Sequence, residues 1–152
     1  MLRALLQGGA VLLLLLVLAL ALRSALAKRP ERFAAAARQI TPCPLSPNCV
    51  SSRSTDPAHR VDPLSFEAPP EETLQRLRGL LEALPRTRVM TADGSYLHAE
   101  CTSRIFRFVD DLELLLDRED AVVHVRSASR IGYSDFGTNR RRVEALRALF
   151  SE

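Results

Sequence analysis

Residues 106–127 constrain this fold more than any other part of the chain. An apolar stretch, Phe106 to Leu116, meets the charged tetrapeptide Asp117-Arg118-Glu119-Asp120, and a second apolar stretch runs from Ala121 to Ser127. Two such runs about a short polar connection read as an antiparallel hairpin. With residues 117–120 as a four-residue loop, Leu116 faces Ala121, Leu114 faces Val123 and Leu112 faces Val125. On the other face Glu113 meets His124 and Asp111 meets Arg126. Apolar opposes apolar on one side and acid opposes base on the other. A one-residue slip would exchange the faces and destroy both matches.

The flanking elements follow from their periods. Leu74, Leu77, Leu80, Leu81 and Leu84 form a helical stripe, with Glu71 and Glu72 in its first turn and Pro85 closing it. Strand signals follow at Arg86 to Thr91 and Tyr96 to Ser103, joined by an Asp93-Gly94 turn. A last helix, roughly Thr138 to Phe150, carries Val143, Leu146, Leu149 and Phe150 on one side. The expected fold is α+β: a four-stranded antiparallel meander flanked by an N-terminal and a C-terminal helix. No internal repeat is visible. Residues 41–70 hold seven of the nine prolines. They read as an irregular, extended segment, too long for an ordinary loop, that wraps over the domain at 41–152.

Before the domain stands an apolar helix. Ala10 to Leu22 is unbroken Leu, Val and Ala, preceded by Arg3 and followed by Arg23-Ser-Ala-Leu-Ala27. A basic start, an apolar middle and a small-residue end are the parts of a secretory signal peptide. Extended back to Ala4, the run also suits a single-span anchor over residues 4–22, at the cost of Gln7, Gly8 and Gly9. Lys28, Arg29, Arg32 and Arg38 after the run favour a cytoplasmic C-terminus for an uncleaved helix. Cleavage after Ala27 removes that conflict. Residues 28–40 read as a stalk or short helix. The expected location is the cell envelope: periplasmic, either soluble or anchored to the inner membrane.

The net charge of +3 includes Arg3 and Arg23, so residues 28–152 hold 19 basic against 18 acidic residues, a net +1. A nucleic-acid-binding domain needs a basic excess, which is absent here.

Cys43-Pro-Leu-Ser-Pro-Asn-Cys49 in an exported chain reads as a disulfide closing a seven-residue loop. A zinc site would need four ligands at suitable spacing, and the histidines at 59, 98 and 124 are scattered. Cys101 is in phase with Leu97 on an alternating strand and opposite in phase to His98, so it reads as a buried thiol rather than a nucleophile. Asp110 and Asp111 point to opposite strand faces and cannot act as a facing carboxylate pair. Asp111 takes Arg126 as its partner. Asp110 then faces inward near Ser127 and needs donors.

The segment Arg126-Ser-Ala-Ser-Arg-Ile-Gly-Tyr-Ser-Asp-Phe-Gly-Thr-Asn-Arg140 joins the last strand to the last helix. Its structural reading is an Arg130–Asp135 bridge inside the turn, with Thr138 capping the helix. Its functional reading is an anion site of Arg130, Asn139 and Arg140 at a helix N-terminus, with Arg126, Ser129 and Asp110 nearby. No serine has a His and an acid at fixed spacing, and no cofactor is implied.

Three blocks, Ser46-Pro-Asn-Cys-Val-Ser-Ser52, Phe108-Val-Asp-Asp-Leu-Glu113 and Arg126 to Arg140, resemble the signature blocks of the domain of unknown function family "fourteen ninety-nine". The likeness covers about residues 41–150. It implies no established activity and therefore no catalytic assignment. The family includes bacterial envelope proteins and plant plastid-lumen relatives, often behind a signal or anchor, which favours export and agrees with the Cys43–Cys49 disulfide.

The expected function is a non-catalytic envelope module that binds an anionic small molecule, a lipid headgroup or a protein partner. The alternatives are a hydrolase-type enzyme using Asp110 or Asp111 with Arg126 or Arg130, and a purely structural protein.

Overall fold

The structure, a computed structural model, describes residues 2–26 and 39–152. The stalk expected at 28–40 lies outside the described residues up to residue 38. Helix α1, Leu2–Leu26, runs through Gln7, Gly8 and Gly9 without a break. Its apolar side chains from Leu6 to Leu18, and Leu22, are largely exposed, with Leu12 at 70%. Among the described residues no helix is long and apolar enough to cross a membrane, so a single span over residues 4–22 is not found among its elements.

The domain is α+β, and the meander is present. Strands β3 (Thr87–Asp93), β4 (Tyr96–Thr102), β5 (Val109–Asp117) and β6 (Val122–Ser129) pair antiparallel in sequence order. Helix α2, Pro70–Ala83, precedes them and α3, Thr138–Ser151, follows. Pro70 sits in the first turn of α2, where a missing N–H costs nothing. Leu84 is forced out of the helical region by Pro85 (ψ 134°), which ends α2.

The β5–β6 register differs from expectation by two residues. Leu116 pairs with Val123, Leu114 with Val125 and Leu112 with Ser127, and Glu113 pairs with Arg126 and Asp111 with Ala128. The cause is Asp117. It is the last paired residue, opposite Val122, and its Oδ1 accepts the backbone N–H of Glu119 and of Asp120. That side-chain turn moves the loop to residues 118–121, and Ala121 closes it in the left-handed region (φ 51°). A shift of two preserves the faces, so every side chain still points the expected way.

The inner face carries Leu97, Ala99, Cys101, Leu112, Leu114, Leu116, Val123 and Val125, all buried. Leu77 and Leu81 of α2 and Val143, Leu146 and Phe150 of α3 cover it. Each fully buried leucine or valine contributes about 1.5–3 kcal/mol, so this single layer supplies most of the apolar stabilisation.

The proline-rich segment is more regular than its composition implies. Two short strands, β1 (Cys49–Ser51) and β2 (Leu64–Ser65), both pair antiparallel with the free edge of β6. They fit between Pro47 and Pro57 and directly after Pro63, where a strand of two or three residues loses no ladder bond to proline. Cys43 and Cys49 form the expected disulfide, with Cα atoms 5.7 Å apart. Two arginines of α3 hold the segment down. Arg140 donates to the carbonyls of Ala58 and Arg60, and Arg147 to those of Asp62 and Pro63.

Candidate functional site

All three signature blocks meet at the C-terminal end of β6. From the first block, Asn48 donates through Nδ2 to the Gly132 carbonyl (2.6 Å), and its own carbonyl accepts from the Ser129 N–H and from Asn139 Nδ2. The second block faces the third through two ion pairs, Glu113–Arg126 and Asp111–Arg130, and reaches Arg142 of α3 through a third, from Asp110. These groups divide between the two faces of the sheet.

On the inner face Asp110 Oδ2 accepts from Arg142 Nη2 at 2.6 Å. Arg142 also donates to Ser127 Oγ and to Asn139 Oδ1, and Ser127 donates to Asn139 Oδ1. Asn139 is fully buried and donates its second Nδ2 hydrogen bond to Ser129 Oγ. The donor that Asp110 requires is therefore Arg142. Its signal in the sequence is spacing: Asn139 and Arg142, three apart, share a helix face.

On the outer face the charges form a ladder. His98 Nε2 donates to Asp111 Oδ1 (2.8 Å), and Arg130 grips both oxygens of Asp111 (2.9 and 2.6 Å) while also reaching Glu100 (2.6 Å). One rung along, Arg126 donates to Glu113 (2.8 Å), which also accepts from the Tyr96 hydroxyl. His98, Asp111, Glu113 and Arg126 are all at most 3% exposed. Burial raises the Asp111 pKa, but hydrogen bonds from His98 and Arg130 outweigh it and hold the carboxyl below its ordinary value. For Arg130, desolvation is outweighed by its hydrogen bonds to Asp111 and Glu100, which keep it firmly charged. Burial, with the Glu113 charge beside it, pushes the Tyr96 phenol up.

Three expected contacts are replaced. Arg126 pairs with Glu113 instead of Asp111, because of the two-residue register shift. Arg130 bridges to Asp111 and Glu100 instead of Asp135. Thr138 does not cap α3. Gly137 occupies the cap position (φ 76°), and Asp135 accepts the N–H groups of Gly137 and Asn139 through its two oxygens. Asp135, free of Arg130, can thus serve the helix start.

The six candidate residues do not form one cluster. Asp110, Ser129 and Asn139 share the inner-face network, Arg126 and Arg130 lie on the outer face, and Arg140 is turned to the wrapping segment.

What does open to solvent is a groove of about 350 Å³ between residues 103–108 and the loop 131–138. Its walls include Ile105, Phe106, Phe108, Ile131 and Phe136, and Asp110 and Ser129, direct partners across β5 and β6, lie within it. Phe106 and Phe108 stack with centroids 5.5 Å apart. Each bounding loop holds a non-glycine residue in the left-handed region, Arg107 (φ 56°) and Phe136 (φ 53°). Such backbone positions persist only where surrounding structure fixes them, and they gather at binding loops. Asp110 Oδ1 makes no hydrogen bond among the described residues, and the Ser129 hydroxyl, which accepts from Asn139, retains its proton to donate.

A family model for proteins of unknown function, DUF1499, matches residues 39–150, which takes in all three converging blocks. The chain belongs to the DUF1499 family. Comparison with curated proteins and with solved structures finds no match. The family is one of unknown function. Cys101 is free and buried, and burial pushes its thiol up, which keeps it protonated. Asp110 and Asp111 lie on opposite faces, each held by an arginine. Among the described residues no three His, Cys, Asp or Glu side chains are grouped to hold a metal ion.

Proposed function

We propose that this DUF1499 domain is a non-catalytic binding module, and that its ligand sits in the groove between residues 103–108 and 131–138. One observation carries the reading. The most chemically loaded segment of the chain commits its arginines to internal acids and backbone carbonyls and turns an apolar cavity toward solvent. A cavity of this size, largely apolar with a few polar atoms, matches small-ligand sites in general. The uncommitted oxygen of Asp110 and the Ser129 hydroxyl favour a guest with an apolar body and a hydrogen-bond donor. A carboxylate guest would meet the Asp110 carboxylate. The Cys43–Cys49 disulfide supports a location outside the cytoplasm, since such bonds persist in oxidising compartments.

The test is a titration of the full chain with 2-phenylethanol and with 3-phenylpropionate, followed through backbone amide resonances. The alcohol should shift amides of residues 103–108 and 129–138, and the carboxylate should leave them in place. If neither probe moves those amides, the groove is not the site. If only the carboxylate does, the anionic-ligand reading replaces this one.

A further inference from the structure

The rim of the groove carries a second, independent signal. Ile105 on one loop and Tyr133 and Phe136 on the other are 73%, 76% and 87% exposed. Apart from Leu45 and the apolar helix α1, they are the only large apolar side chains so exposed among the described residues. They gather at one end of the domain, on the two loops that bound the groove. Arg104 and Arg141 stand exposed beside them. Of the local acids, Asp110 is neutralised by Arg142, which leaves the two arginines against the single carboxylate of Asp135 at the start of α3.

We propose that these tips seat in the interfacial layer of an anionic lipid bilayer, with Ile105, Tyr133 and Phe136 entering it and Arg104 and Arg141 at the headgroups. Aromatic side chains favour that depth, with the ring in the acyl boundary and a polar end wet, and arginines add attraction to anionic lipid. A protein partner fits less well. Two rings at 150–250 Å² each and one isoleucine offer at most roughly 500 Å² at this exposure, below the roughly 800 Å² per side of a stable protein interface. The seating would place the mouth of the groove against the membrane. It rests on the exposed tips and their charges, whether or not the groove takes a guest.

The chain contains no tryptophan, so a single one introduced by substitution is a unique reporter. Phe136→Trp reports on the tips. Asp93→Trp reports on the turn at the far end of β4, seven residues and roughly 20 Å away. Because α1 could itself hold the full chain on vesicles, the informative quantity is the difference between the two positions. Vesicles of phosphatidylcholine, with and without phosphatidylglycerol, are prepared with brominated acyl chains. With phosphatidylglycerol present, Phe136→Trp should shift to the blue and be quenched while Asp93→Trp is unaffected. Adding Arg104→Gln to Phe136→Trp should weaken partitioning about fivefold, the equivalent of one basic residue at an anionic surface. Equal quenching at both positions, or none at 136, would overturn the proposal. So would a concentration-dependent change in Phe136→Trp emission without vesicles, which would assign the patch to a second copy of the chain.

Discussion

At the scale of single residues, Arg130 is the charge on which the outer face depends. It binds both oxygens of a nearly fully buried carboxylate, Asp111, and reaches Glu100 as well. Removing one partner of a buried pair leaves the other charge stranded, at a cost on the order of 3–5 kcal/mol. Urea denaturation of Arg130→Ala should show a loss of that size, and Arg130→Lys an intermediate one, because an ammonium cannot reproduce the two-pronged grip. A loss under 1 kcal/mol for Arg130→Ala would mean that the ladder contributes little. The same geometry sets a pH dependence. The folded pKa of Asp111 lies below its unfolded value of about 3.9, so the folded state binds fewer protons there. The stabilisation is present above that unfolded value and is lost as pH falls through the lower folded value. Stability should therefore drop as pH is lowered below about 4, and Asp111→Asn should flatten the drop. An unchanged slope in Asp111→Asn would remove Asp111 from the acid response. Alternation already told which side chains share a face here. The pairs themselves were hidden, because a single hydrogen-bonding choice by Asp117 moved the register by two.

At the scale of elements, the long helical and alternating segments were legible and the proline-rich one was only half so. Its role as a wrap follows from composition, but β1 and β2 are too short to leave a periodic trace. Their pairing is decided by β6, which needs partners for its free edge. Holding the wrap in place falls to the disulfide and to Arg140 and Arg147. Closing a seven-residue loop restricts the unfolded chain by about 2.4 kcal/mol in the chain-entropy model, and Pro44 and Pro47 have already removed part of that freedom. Reduction should therefore cost about 1–2 kcal/mol, measured as the difference between urea midpoints with and without a phosphine reductant. A loss above 4 kcal/mol would show that the loop also organises β1. Arg140→Ala should remove roughly a further 1 kcal/mol. The two effects should fall short of simple addition, because both act on the same segment.

At the scale of the whole molecule, the sequence marks the segment from Arg126 to Arg140 as a strand-to-helix junction but not what its arginines contact. The segment from Arg126 to Arg140 does line the groove, but its arginines are answered by Glu113, Asp111, Glu100 and backbone carbonyls from across the fold. Such long-range answers leave no local spacing to read, and the groove itself is made with a second loop, residues 103–108. Cooperativity can be tested at the centre of this arrangement. Cys101 sits on the inner face of β4, in the one apolar layer shared by the sheet and both helices. Its thiol is buried, and burial holds it protonated, so the native state offers a thiol reagent neither access nor a nucleophile. Modification must wait for an opening that separates α2 and α3 from the sheet. If the domain unfolds as one unit, the free energy of opening from the rate of Cys101 modification should equal the value from urea denaturation. Leu112→Ala, which empties part of the same layer, should lower both by the same 2–5 kcal/mol. A Cys101 rate that exceeds the global limit would instead locate a weaker boundary between the meander and its helices.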